Sequence, residues 1–281
     1  MKIWAHTLVK NEERYVWYSI MSVIDYVDKI LVWDTGSVDN TVEIIKQIKK
    51  RFPEKIDFKE FGEVDINQFT LVRQKMLKET KSDWFIILDG DEVWWEDSIS
   101  QVKSVIEEKG KHLDSIVSRH YNIVGDIYHF QDEIAGGYVI DGKRGFLNIR
   151  ATNRGIPGIN FSKPHGQQGI FDGNGVLIQE REKQKKVFID KCSYLHFTNV
   201  LRSKSLEKDI LVPKRKMKLK YELGHSFPKD FYYPEVFFRP RPLLVPNIWE
   251  KMNAEFLTRS IIETPLRMFK RKFVKNRKTG Y

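Results

Sequence analysis

Residues 84–95, WFIILDGDEVWW, constrain this chain more than any other stretch. Trp84 to Leu88 is an apolar run with β-branched and aromatic side chains, of the length of a buried strand. It breaks off in Asp89-Gly90-Asp91-Glu92. Three carboxylates at the end of a buried strand are costly to desolvate without a counter-charge, and a divalent cation is a common partner. Gly90 permits a tight turn between the aspartates. So small a set of oxygen ligands suits Mg²⁺ or Mn²⁺, with phosphate oxygens completing the shell. An acidic turn that merely closes a core strand is the plainer alternative, and these residues alone leave it open.

Upstream, strand and helix patterns alternate. Lys2–Val9 predicts a first strand that ends in Lys10-Asn11-Glu12-Glu13, and Tyr15–Val27 a helix. Lys29–Trp33 predicts a second strand, which also closes on a carboxylate, Asp34. Thr35–Thr41 is rich in turn residues, and Ser37 or Asp39 can cap the helix Val42–Phe52, whose Ile44, Ile45, Ile48 and Phe52 recur at helical spacing. Ile56–Phe61 reads as an edge strand and Phe69–Lys78 as a helix bearing Arg73. The alternation predicts an α/β fold with a mostly parallel central sheet and helices on both faces. Such sheets bind ligands beyond the carboxyl ends of their strands, where Asp34 and Asp89–Asp91 would lie.

Composition bounds the remaining choices. The chain has 281 residues, enough for a sizeable core, and a single cysteine, Cys192, which excludes an intrachain disulfide. The N-terminal residues lack a secretory signal pattern, and no apolar run approaches the roughly 20 residues of a membrane span. The expectation is a cytoplasmic protein. Its net charge of +10 is concentrated at one end, since residues 201–281 hold 20 Lys/Arg against 8 Asp/Glu.

HTLVKNEE, VWDTGSVDNT and FIILDGDE, in that order, resemble the three signature segments of family-2 glycosyltransferases with the GT-A fold. The resemblance covers about the first hundred residues, and the combination is far more specific than any one piece. No G-x-G-x-x-G follows the first strand and no G-x-x-x-x-G-K-[ST] is present. What the resemblance implies falls on individual positions. Leu8, Lys10 and Glu12 would hold the nucleobase and ribose, and Asp34 would read base or ribose. Arg73 would face the nucleotide. Asp89 and Asp91 match the D-x-D motif: Asp91 would hold the metal that bridges the diphosphate, and Asp89 the ribose or the same metal, with Glu92 as a further acidic group. The late strand Val187–Asn199 would bring His196 as another metal ligand, followed by a phosphate-facing loop with Arg202 and Lys204.

The acceptor side is less regular. Ser115–Ile123 reads as a strand carrying Arg119 and His120, Asp126–Gly145 as loops or a hairpin, and Phe146–Arg150 as a strand. IPGINFSKPHG, residues 156–166, resembles the family's acceptor segment, which in many relatives ends in His-Glu; here Gly166 follows His165. An inverting transfer needs a group to take the acceptor hydroxyl proton. The candidates are His165, Asp132 and Glu133.

The expected organisation is a GT-A catalytic domain over 1–205, its nucleotide-binding half about 1–97 and its acceptor half about 98–205, with a basic, aromatic-rich helical extension over 206–281. The expected activity is inverting transfer from a nucleoside-diphosphate sugar of the UDP, GDP or dTDP series to a glycan or lipid-linked saccharide. A sugar-phosphate nucleotidyltransferase and an inert nucleotide-binding protein on the same scaffold are the alternatives. Ile248–Ile262 predicts one helix, and a second follows Pro265, where Leu266, Phe269 and Phe273 share one face and Lys270, Arg271, Lys272 and Lys275 the rest. That basic helix fits an anionic membrane surface or packing on protein. No nucleic-acid-binding motif accompanies it.

Overall fold

The structure, a computed structural model, describes residues 1–65, 68–164 and 167–273. Its first half is built from β1 (Ile3–Val9), α1 (Val16–Val23), β2 (Lys29–Asp34), α2 (Thr41–Arg51), β3 (Ile56–Glu60), α3 (Phe69–Glu79) and β4 (Trp84–Ile87). These four strands lie side by side in the order β3-β2-β1-β4, and every neighbouring pair is parallel. Asp34, the turn after β1 and Asp89 therefore meet at one edge.

β1, β2 and β4 are buried on both sides, which explains their nearly continuous apolar character, whereas the edge strand β3 is half-buried. Ile3, Ala5 and Val9 of β1, Ile30 and Val32 of β2, and Trp84 and Ile86 of β4 face α1, α2 and a later helix, α4 (Glu96–Lys109). The alternate residues Leu8, Leu31 and Trp33 meet Val72 and Met76 of α3. In α2, Ile44, Ile45 and Ile48 are fully buried, each contributing about 1.5–3 kcal/mol. Glu43 in its first turn and Lys49, Lys50 and Arg51 in its last complement the helix dipole. Of the two capping candidates Asp39 acts, accepting from the Thr41 amide at 3.0 Å, while Ser37 accepts from the Asn11 amide.

Beyond β4 the sheet becomes mixed. Residues 92–94 form a separate short strand, β5 (Glu92–Trp94), where a single acidic turn is expected from sequence. The segment expected as loops or a hairpin contains β7 (Asp126–Phe130), after β6 (Ser115–Val124), and a small hairpin, β8 (Tyr138–Ile140) and β9 (Lys143–Gly145). Then come β10 (Leu147–Asn153), the hairpin β11 (Asn160–Ser162) and β12 (Gly169–Phe171), and the long β13 (Lys186–Asn199). β10 inserts antiparallel between β4 and β6. β13 runs parallel to β6 and antiparallel to β5. Most registered pairs in the sheet are parallel.

The C-terminal portion holds α5 (Leu206–Ile210), α6 (Arg215–Lys218), β14 (His225–Ser226), which extends the sheet beside β7, and α7 (Ala254–Phe273). Val236, Phe237, Val245 and Ile248 join the core that covers α1, and the Tyr18 hydroxyl donates to the Pro246 carbonyl at 3.0 Å. The two helices expected on either side of Pro265 are one helix with Pro265 inside it. Proline removes a helical hydrogen bond there. Pro265 is exposed, so water can reach the carbonyl left without a donor. Among the described residues no helix is long and apolar enough to cross a membrane.

Candidate active site

Three strand ends make the site. After β1 the chain turns through Asn11, whose φ of 52° is in the left-handed region that asparagine tolerates. Its Oδ1 accepts from the Val38 amide at 2.8 Å, locking this turn to the one after β2. Asp34 closes β2, 3% exposed, and its Oδ2 accepts from the Gly36 and Ser37 amides at 2.9 and 3.0 Å. Its Oδ1 is buried and has no hydrogen-bond partner among the described residues. A buried carboxylate oxygen without a donor is costly unless a ligand supplies one.

After β4, Gly90 is required for a reason other than turn geometry, since its φ is not positive. A Cβ there would lie 2.9 Å from Val9 Cγ1 and 3.0 Å from Glu12 Cγ, so the loops after β1 and β4 pack in direct contact. Around them the carboxylates are met by arginines. Asp89 accepts from Arg73 at 2.7 Å and Arg150 at 3.4 Å. Asp91 Oδ2 lies 2.7 Å from an Arg202 nitrogen and 3.5 Å from His196 Nε2. Glu92 pairs with Arg150, both side chains almost wholly buried. Glu12 accepts from Arg202 at 2.9 Å and Arg215 at 2.5 Å.

These environments split the carboxyl groups into two classes. Burial pushes Glu12 up to about 8 against the pull of Arg202 and Arg215, and burial raises Glu92 well above the ordinary glutamate range against Arg150. Burial would raise the aspartates too, but Arg150 and Arg73 outweigh it at Asp89, and Arg202 and His196 outweigh it at Asp91, so both are held below the usual range. Asp89 and Asp91 are thus the anions of the strand end.

A metal would find two donors here. Asp91 Oδ2 has a charged neighbour in Arg202 but no aligned hydrogen bond, and His196 Nε2 stands beside it. His196 is oriented from behind by His120, whose Nε2 is 3.5 Å from its Nδ1 and whose ring stacks on Tyr194. Asp89, expected as a third ligand, is engaged by its two arginines. Among the described residues no three His, Cys, Asp or Glu side chains are grouped to hold a metal by themselves. The pair Asp91–His196 fits a cation whose remaining ligands come from elsewhere, such as a diphosphate.

The other expected residues are distributed as follows. Leu8 is buried toward α3, and Lys10 pairs with Glu63 at 3.4 Å. The exposed Lys204 donates its backbone amide to Glu13 at 2.7 Å. Asp132 caps a short 3₁₀ turn and lies 3.3 Å from His225, while Glu133 pairs with Arg119, so the contacts of both are away from the acidic strand end. His165 lies outside the described residues.

Sequence reading assigns no role to Arg150, Arg215 or His120. Arg150 had a weak signal, a cation on the polar alternation of the strand pattern LNIRAT. Arg215 had none, buried in sequence among the basic residues of KRKMK. It donates to the Lys10 and Asn11 carbonyls as well as to Glu12, and Asn11 Nδ2 donates to the Lys208 carbonyl at 2.6 Å. Residues 202–215 are thereby stapled over the turn after β1.

Residues 6–173 match the family model described as glycosyl transferase family 2, more than half of the chain. The chain belongs to this family. Its mostly parallel central sheet with helices on both faces is the α/β architecture expected from the sequence. Among relatives, the SPbeta prophage-derived glycosyltransferase SunS of Bacillus subtilis (strain 168) is 26% identical in an alignment of 137 residues that covers 43% of this chain and 31% of SunS. The SunS of Bacillus phage SPbeta matches equally. The chain thus spans about a third of the length of these curated relatives. Among solved structures, S. aureus TarS 1–349 in complex with UDP-GlcNAc aligns with a TM-score of 0.47 and 13% identity, over 98% of this chain and 76% of that one. The mannosyltransferase PcManGT from Pyrobaculum calidifontis, in complex with GDP-Man and Mn²⁺, aligns with a TM-score of 0.38 and 13% identity, over 55% and 45%.

Proposed function

We propose that this family-2 member transfers a sugar, with inversion, from a nucleoside-diphosphate sugar to a glycan or lipid-linked saccharide. The observation that carries the reading is the meeting, at one sheet edge, of the orphaned Asp34 Oδ1 with the ionised Asp91 and its neighbour His196. Asp34 Oδ1 would accept a hydrogen bond from the base or ribose. Asp91 and His196 would hold a Mg²⁺ or Mn²⁺ ion, which, when bound, neutralises the diphosphate as it leaves. Arg202 and Arg215 lie beside that position and would trade part of their contact with Glu12 for the phosphates; Lys204 follows on the same loop. In the displacement the acceptor oxygen bonds to the anomeric carbon while the bond to the diphosphate breaks. The acceptor proton goes to His165, Asp132 or Glu133. Alanine variants separate these three, because loss of the acceptor base lowers kcat and spares nucleotide binding.

The test is thermal stabilisation by UDP, GDP, dTDP and CDP, each with Mn²⁺, Mg²⁺ or EDTA. A ligand at about 100 times its Kd adds roughly 2.7 kcal/mol. One diphosphate that stabilises only with metal supports the reading and names the donor series. No shift with any of them overturns it, and release of pyrophosphate during turnover would replace it with nucleotidyl transfer.

A further inference from the structure

Helix α7 turns its polar side to the protein and its apolar side to solvent. On the inward stripe Ser260 is buried, and Thr264 accepts from the Leu223 amide at 3.0 Å. Arg267 donates to the Tyr221 carbonyl at 3.2 Å, and Arg271 grips Glu222 with two bonds of 2.6 Å. Arg259 lies over the Tyr221 ring at 3.5 Å. The opposite side carries Leu257, Ile261, Ile262, Leu266 and Met268, which are 42–68% exposed. At about 100° per residue these five fill one half of the helix circumference, over a length of about 17 Å. A helix that packs a globular core shows the reverse arrangement. An apolar face of this extent, presented by ion-paired anchors, marks an interaction surface.

Charge selects the occupant. After Glu263 the sequence has no acidic residue, and six Lys/Arg fall between positions 270 and 278. A second copy packed with its helix parallel would bring two such cationic ends together, which repel. An anionic lipid surface attracts them, with each basic residue near it adding to the attraction, and accepts the apolar side chains below its headgroups. A helix that cannot span the bilayer but carries one apolar side is suited to that depth. We propose that the outward face of α7 docks this protein on an anionic membrane surface. The inference is independent of the reaction assigned above, although it would bring a lipid-linked acceptor within reach.

The test uses the full chain and sucrose-loaded vesicles of phosphatidylcholine, with or without phosphatidylglycerol. Wild type should sediment with the anionic vesicles, bind the neutral ones poorly and dissociate as salt rises. Ile262→Glu combined with Leu266→Glu should lower the bound fraction about tenfold or more. Its melting temperature should be unchanged, because both side chains are exposed. A second variant, Lys270→Glu, should reduce binding without adding charge to the apolar face. Equal sedimentation of wild type and the double variant would overturn the proposal. So would a vesicle-independent dimer that the double variant dissolves, since the occupant would then be a second copy.

Discussion

Replacing Arg150 by methionine should unfasten the acidic strand end from within. The guanidinium is 3% exposed and reaches Glu92, which is fully buried, Tyr194 Oη at 3.1 Å and Asp89 at 3.4 Å. Asp89 keeps Arg73, but Glu92 loses the arginine it pairs with, and its Oε2 already has no partner among the described residues. Where Glu92 is ionised, breaking the buried pair by removing one member costs about 3–5 kcal/mol, and the lost Tyr194 bond adds about 1 kcal/mol. That is a large share of the roughly 5–15 kcal/mol that holds a typical domain. Removing both charges, with Arg150→Met and Glu92→Met together, leaves no stranded carboxylate. The pair should therefore couple by about 2–3 kcal/mol in a double-mutant cycle read by urea unfolding. The pH dependence carries a sign. Burial holds Glu92 above its ordinary value even with Arg150 present. A carboxyl group raised in the fold stabilises most fully below its unfolded pKa, and that contribution is lost as pH rises. Without Arg150 the rise is larger, so the penalty of Arg150→Met should be greater at pH 8 than at pH 5. Single variants that cost under about 1 kcal/mol and simply add, or a penalty that shrinks with rising pH, would refute this account of the buried pair.

Three further expectations follow from the same geometry. Asp91→Asn should abolish metal-dependent stabilisation by nucleoside diphosphate in a thermal melt; binding as good as wild type would remove Asp91 from the site. Asp34→Ala should weaken the same nucleotide by about ten- to a hundredfold, the worth of a hydrogen bond to a charged group, measured by titration calorimetry. Gly90→Ala should destabilise the fold by about 1–3 kcal/mol in urea, because its Cβ would collide with Val9 and Glu12; a neutral result would mean that the two loops are not packed as described.

The parts of the molecule that were legible in sequence are those governed by local periodicity. Ile44, Ile45 and Ile48 announce α2, and the run into Asp89 announces β4, because each pattern repeats within a few residues. The resemblance then picked out Asp34, Asp89 and Asp91 at a common edge. The charge partners of that edge were not legible. Arg150 lies 58 positions from Glu92 and Arg215 lies 203 from Glu12, and nothing in a basic run such as KRKMK says which cation will be buried. A divalent cation was expected at the acidic strand end; what the structure brings to it is Arg73, Arg150 and Arg202, and a metal there belongs to the proposed function.

The same limit explains α7. Its amphipathic pattern is plain in the sequence, but a periodicity locates two faces without saying which one points inward. The usual assumption puts the apolar face on the core. Here Arg271 finds Glu222 and Arg267 finds the Tyr221 carbonyl, and these directed bonds fix the rotation of the helix. The hydrophobic effect is non-directional, so an apolar face can be satisfied by any apolar phase, including one outside the protein. A bidentate arginine pair has a single geometry. Once the polar side of α7 was committed to residues 221–223, its apolar side had to look outward, and the cationic end of the chain favours a surface of the opposite sign.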